Sequence, residues 1–167
     1  EDSHSINLLK YNYFEPWGKM IRTTLVTEHH IQFDEVRWAN DVMFSTQVGY
    51  YARHIEVYLD AVYCITVAKG SLVHQRGIDS RRCRYEVMLR TNQFLRTVGM
   101  GKYEHSIMYS LRRAAKYGPK TLWEFIQLGR RYDAHFFKGA NHWLRNAYLS
   151  VFHNEDNGKK PYIINDK

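Results

Sequence analysis

The chain has only two cysteines, Cys64 and Cys83, and three prolines in 167 residues. Two thiols cannot build a disulfide framework and match no metal-ligand spacing, which sets the chain apart from small cross-linked secreted domains. Scarce proline, with 44 % hydrophobic and 15 % aromatic residues, excludes a disordered segment and predicts a folded body with a core. Long apolar runs are also lacking. A membrane-spanning helix takes about 20 nearly uncharged residues, and the longest stretch free of Asp, Glu, Lys and Arg is residues 42–52, 11 in all. The opening Glu1-Asp2-Ser3-His4 does not read as a signal peptide, so a reducing cytoplasm is the expected setting. Glycine-rich phosphate loops, the Gly-x-Ser-x-Gly elbow and Asp-x-Asp are all absent, which removes the common self-contained active sites.

What is present is positive charge, unevenly spread. The net charge is +7, but residues 1–75 carry −3, residues 76–153 carry +10, and residues 154–167 are neutral. Three regions follow: a mixed first part (1–75), a basic helical part (76–153) and a polar tail (154–167). A +10 block attracts polyanions, whether nucleic acid, anionic lipid or phosphorylated substrate, and charge alone does not choose among them or exclude a plain solvated helix face. Nucleic acid is the weakest of these readings, because no recognised binding motif accompanies the charge.

The apolar period changes repeatedly in the first part, predicting an α+β region within a mostly helical chain. Met20, Thr24, Leu25 and Val26 predict a helix over 19–29, and Ile31-Gln32-Phe33 alternates as a short strand does. From Asn40, apolar residues at helical spacing predict another helix, with Asn40 or Asp41 ready to cap it. Residues 55–67 are rich in β-branched and aromatic side chains and read as one or two strands, closed by a turn at Lys69-Gly70-Ser71. The second part reads as helices over 80–98, 103–117, 120–137 and 140–153, punctuated by Gly99-Met100-Gly101 and Gly118-Pro119. Nine histidines invite a metal reading, but the adjacent His29-His30 and the pair His135 and His142 have no carboxylate or thiol completing a usual ligand set.

An ordered set of short motifs stands out between residues 16 and 71: Pro16-Trp17-Gly18-Lys19, Ile31-x-Phe33, Asn40-Asp41-Val42-Met43-Phe44, Tyr63 in a strand-like run, and Gly70-Ser71. These resemble the second half of the catalytic domain in inverting, nucleotide-sugar-dependent glycosyltransferases of family 2, which have the GT-A fold. The resemblance spans about residues 14–75 and implies that this part is the acceptor-side portion of such a domain, with the basic helices as its C-terminal extension. It implies that Asp41 is the general base that takes the proton from an acceptor hydroxyl, although a carboxylate at that position also serves simply as a helix cap. Trp17 suits either core packing, the commoner role, or a platform for a sugar ring. Lys19 is a solvated charge or one on the diphosphate side, and Lys19 and Asn40 count with Trp17 among the acceptor- or donor-binding candidates that the resemblance implies. Lys69, Ser71 and His74 would line the donor diphosphate edge, or form an ordinary turn.

Two positions depart from the family pattern. Asn40 stands where the family has Glu before the catalytic Asp, and Ala68 stands where an Arg is common. The family's nucleotide-binding half, with its Asp-x-Asp and divalent Mn or Mg ion, has no counterpart here, so the expectation is a fragment that is inactive alone. The implied role is sugar transfer from a nucleotide-diphospho-sugar to a glycan or lipid-linked acceptor in cell-surface polysaccharide assembly, with peripheral contact at the inner membrane face. A non-catalytic module that keeps the same core is the alternative.

Overall fold

The computed structural model describes residues 3–61, 63–64 and 77–138. They form six α-helices and no strand: α1 (Ser3–Tyr11), α2 (Thr23–Glu28), α3 (Asp41–Tyr51), α4 (Ile78–Thr97), α5 (Met108–Ala115) and α6 (Pro119–Arg131), with a 3-10 turn at Gly101–Tyr103. No helix among the described residues is long and apolar enough to cross a membrane.

Two cores divide the work. In the first part Ile31, Phe44 and Val48 are buried, with Ile21, Leu25, Val26 and Tyr51 packed around them. In the second part Tyr85, Leu89, Ile107, Ala114 and Phe125 are buried, and the rings of Tyr85 and Phe125 stack at 4.9 Å. Helix α3 joins them, packing on α1 and α2 on one side and on α4 on the other. Its contact with α1 is close enough to need glycine: a Cβ at Gly49 would stand 2.1 Å from the Lys10 carbonyl oxygen. Lys10 then donates to the Ala52 carbonyl at 2.8 Å, satisfying the exposed end of α3.

The strands expected at 31–33 and 55–67 are not formed among the described residues, and the reason is local. A β-strand is stabilised by a hydrogen-bonded neighbour, and no neighbouring strand is available here. The Ile31 N–H instead bonds the Val26 carbonyl at 2.9 Å, closing α2, and Phe33 stacks on Phe44 at 4.0 Å. Val57, Tyr58 and Leu59 lie exposed, so their β propensity meets no surface to pack on. Residues 62 and 65–67, the turn at 69–71, the helix expected over 140–153 and the tail lie outside the described residues.

Helix limits shift for equally local reasons. Gly18 takes φ +79° in a turn and Met20 is fully exposed, so α2 starts at Thr23 rather than Lys19. The helix expected over 103–117 begins only at Met108, because the Asn92 amide clamps the backbone of His105 from both sides, each bond at 2.8 Å. Asp133 at φ +49° lies just beyond the end of α6 at Arg131. Past it the chain is held by Glu104, whose buried carboxylate receives Arg96 at 3.0 Å and His135 at 3.1 Å, with the Lys138 ammonium 3.8 Å away.

Tyr85 sits at the centre of the second core with no exposure, and its hydroxyl has no hydrogen-bond partner. Burial pushes that phenol up from 10.0 to about 12. Because the folded value is the higher one, its contribution to stability is complete below pH 10 and is lost as pH rises toward 12. Tyr85→Phe removes an unsatisfied buried hydroxyl and is expected to gain about 1 kcal/mol at neutral pH. Urea unfolding followed across pH 9 to 12 checks this: the parent loses stability there more steeply than the variant, and parallel curves would refute the account.

Candidate functional site

The site is assembled where the segment 13–19, the loop 34–40 and the first turn of α3 meet. In the first segment Pro16-Trp17-Gly18-Lys19 closes a tight turn, the Lys19 N–H bonding the Pro16 carbonyl at 3.2 Å. The Tyr13 hydroxyl donates to the Trp17 carbonyl at 3.2 Å and lies 3.4 Å from where a Cβ on Gly18 would stand. The left-handed backbone at Gly18 favours glycine at this position. Ser45 on α3 donates to the Phe14 carbonyl, fastening the turn to the helix that carries Asp41.

Trp17 is 38 % exposed and stacks on Tyr63, which is also exposed, at 5.6 Å with 20° between the rings. Trp17 is thus partly covered and partly open to solvent. The two rings form an outward-facing aromatic pair, the kind of surface that matches the C–H face of a sugar. Lys19 is half-buried; its ammonium donates to the Tyr13 carbonyl at 2.5 Å and lies 4.6 Å from the Tyr13 ring centre. Burial lowers its pKa, while the nearby carboxylates of Glu15 and Asp41 push it back up. Lys19 and Asp41 therefore share one electrostatic environment.

Asp41 is the first residue of α3, partly exposed, and its carboxylate accepts no hydrogen bond among the described residues. The helix behind it is buried at Val42, Phe44, Ser45 and Thr46, which fixes its direction. The expected capping does not occur. Asn40 is exposed with helical backbone angles, φ −63° and ψ −17°, and makes no side-chain cap bond. The amino end is closed by backbone instead: the Val42 N–H bonds the Ala39 carbonyl at 3.3 Å. The Asp41 side chain thus stays available at the amino end of α3, where the helix amides point.

The loop before Asp41 is held by residues that the sequence pattern does not single out. Asp34 receives both terminal nitrogens of Arg90 from α4, at 3.3 and 3.0 Å, a bidentate pair in which the carboxylate is 16 % exposed. The Asp34 N–H bonds the Asn40 carbonyl at 3.0 Å across the loop, and Cys83 donates to the Trp38 carbonyl at 3.4 Å. Ala39 takes φ +60°, a left-handed conformation that costs an L-residue about 1–2 kcal/mol. Strain stored immediately before a candidate catalytic carboxylate is a recurring feature of active sites. In the sequence, Asp34 lay in an irregular acidic stretch and Arg90 looked like one of many cations on a basic helix, so the signal was there without its partner.

The structure brings Lys19 within the electrostatic reach of Asp41, Trp17 and Asn40 being their near neighbours along the chain, whereas Lys69, Ser71 and His74 lie outside the described residues. No three of His, Cys, Asp and Glu come together among the described residues to hold a metal ion. Comparison with models of protein families, with characterised proteins and with solved structures yields no match to this chain.

Breaking the Asp34–Arg90 pair from one side leaves a partly buried charge uncompensated, which costs more than the pair itself contributes. Asp34→Leu and Arg90→Met are each expected to lower stability by about 1–3 kcal/mol, discounted for partial exposure. The double variant should lose clearly less than the sum. A double-mutant cycle by urea unfolding measures this, and strict additivity would show that the two side chains do not act together.

Proposed function

We propose that this chain is the acceptor-side part of an inverting, nucleotide-sugar-dependent glycosyltransferase of family 2, with Asp41 as general base. The main support is the Asp41 carboxylate itself, free of hydrogen bonds among the described residues at the amino end of an otherwise buried helix. It lies in the field of Lys19, two residues from the outward-facing Trp17. The chemistry asks for those parts. An acceptor hydroxyl gives its proton to Asp41 as its oxygen bonds the anomeric carbon; the bond from that carbon to the diphosphate oxygen breaks on the opposite face, and configuration inverts. Trp17 carries the acceptor ring on its apolar face, and Lys19 keeps a cation beside the base.

In this reading Lys69, Ser71 and His74 lie at the donor diphosphate edge. The donor-binding half, with the metal ligands for Mn or Mg, is supplied by residues beyond this sequence, and the enzyme works in the cytoplasm on glycan or lipid-linked acceptors. A second reading, a non-catalytic module with the same core, is favoured by Asn40 at the position where the family has Glu and by the lack of strands among the described residues.

Product formation by the native full-length protein, supplied with nucleotide-sugar donors, tests the proposal. Asp41→Asn is expected to lower turnover by about 10²-fold or more with donor affinity unchanged; unaltered turnover removes the base assignment. Because Trp17 is exposed, Trp17→Ala should raise the KM for acceptor several-fold while changing stability by less than about 1 kcal/mol. A large loss of stability with unchanged KM would return it to a structural role. Glycan binding by the parent without any donor turnover would favour the non-catalytic module.

A further inference from the structure

Some arginines of the second part are tied to carboxylates. Arg90 is spent on Asp34, and Arg82 pairs with Glu124 of α6. What remains outside on α5 and α6 is nearly all positive: Arg112, Lys116, Lys120, Arg130 and Arg131 are exposed. Glu124, the lone carboxylate on these two helices, is the one that Arg82 neutralises.

The aromatic side chains lie among these charges. On α6, Lys120, Trp123, Gln127 and Arg130 recur at helical spacing, and Trp123 is 57 % exposed. The opposite face of that helix is buried at Phe125 and Gly129, so its direction is fixed. On α5, Arg113 donates to the Tyr109 hydroxyl at 3.0 Å. Arg81 reaches the Tyr117 hydroxyl at 3.3 Å, and both Arg81 and Arg113 hold the Tyr109 phenol below its usual range. Arg81 and its neighbour Arg82 therefore join the α5 side to the α6 side across the first turns of α4, and the two faces form one surface.

We propose that this surface of α5, α6 and the amino end of α4 docks on an anionic lipid bilayer. Charge complementarity selects the partner: the exposed Arg112, Lys116, Lys120, Arg130 and Arg131 surround aromatic side chains and outweigh the exposed carboxylates Asp79 and Asp133 at the ends of α4 and α6. Trp and Tyr amid cations suit the headgroup level, where the ring enters the interface while long basic side chains reach the phosphates. A nucleic acid duplex would use the cations and leave an isolated, outward Trp123 with no part in binding. The inference stands apart from Asp41 chemistry, because α5 and α6 carry none of the site residues.

Co-sedimentation of the full chain with vesicles tests it without any enzymatic readout. Vesicles of equimolar phosphatidylcholine and phosphatidylglycerol are expected to bind the chain, phosphatidylcholine alone is not, and binding should weaken as salt rises. Arg130→Gln with Arg131→Gln should weaken binding by about fivefold per charge removed. Trp123→Ala leaves the charge unchanged and should weaken it as well. Circular dichroism of each variant confirms the fold. Equal binding to both vesicle types overturns the proposal. So does tighter binding to a DNA or RNA duplex than to the anionic vesicles, with Trp123→Ala without effect.

Discussion

The guanidinium of Arg90, set across both oxygens of Asp34, is the contact on which the candidate site depends. It ties the loop 34–40 to α4, in the other core, by a planar fork that tolerates little rotation. That loop has a single backbone bond across its mouth and a left-handed alanine near its end, neither of which would hold it alone. Released from Arg90, the loop would be held by the Cys83 bond to Trp38 and by that backbone bond, with the strain at Ala39 free to relax. The arrangement is not free of cost, since the buried Nε of Arg90 has no partner.

Helix α3 turns that local tie into a site. It is packed along most of its length, against α1 through the glycine contact at Gly49 and against α4 on its other side. Its first residue, Asp41, carries a carboxylate that accepts no hydrogen bond among the described residues. A carboxylate at a packed helix end is rigidly aimed yet wet, which suits proton acceptance: the base does not have to be reorganised before it acts. The same packing aligns the turn at 16–19 beside it, through the bond from Ser45 to Phe14.

The arginines show how one composition serves two purposes. Those facing a carboxylate, Arg82, Arg90 and Arg96, become ties between elements; those on α5 and α6 with no acid opposite remain a positive surface. Charge count alone treats them as equal. Their neighbours in space separate them, because a paired cation has surrendered most of the attraction it would offer to an outside anion.

Much of the helical plan can be read directly from the chain. The apolar spacing after Asn40, the long basic helix and the Gly118-Pro119 start of α6 each rest on local rules of period and backbone freedom, which hold wherever the segment sits. Trp17, Lys19 and Asp41 stand out for a different reason, the resemblance of their motifs to those of family 2 glycosyltransferases. What required the tertiary structure was every outcome set by a distant partner. Ile31 and Phe33 had the alternation of a strand but no neighbouring strand among the described residues to pair with, so they packed on α2 and α3. Trp17 stayed partly open to solvent, Asp34 found Arg90 fifty-six positions away, and Asn40 gave up its cap to backbone. Sequence determines what each segment prefers by itself; which preference prevails depends on the surface that folding places opposite it, and that surface comes from elsewhere in the chain.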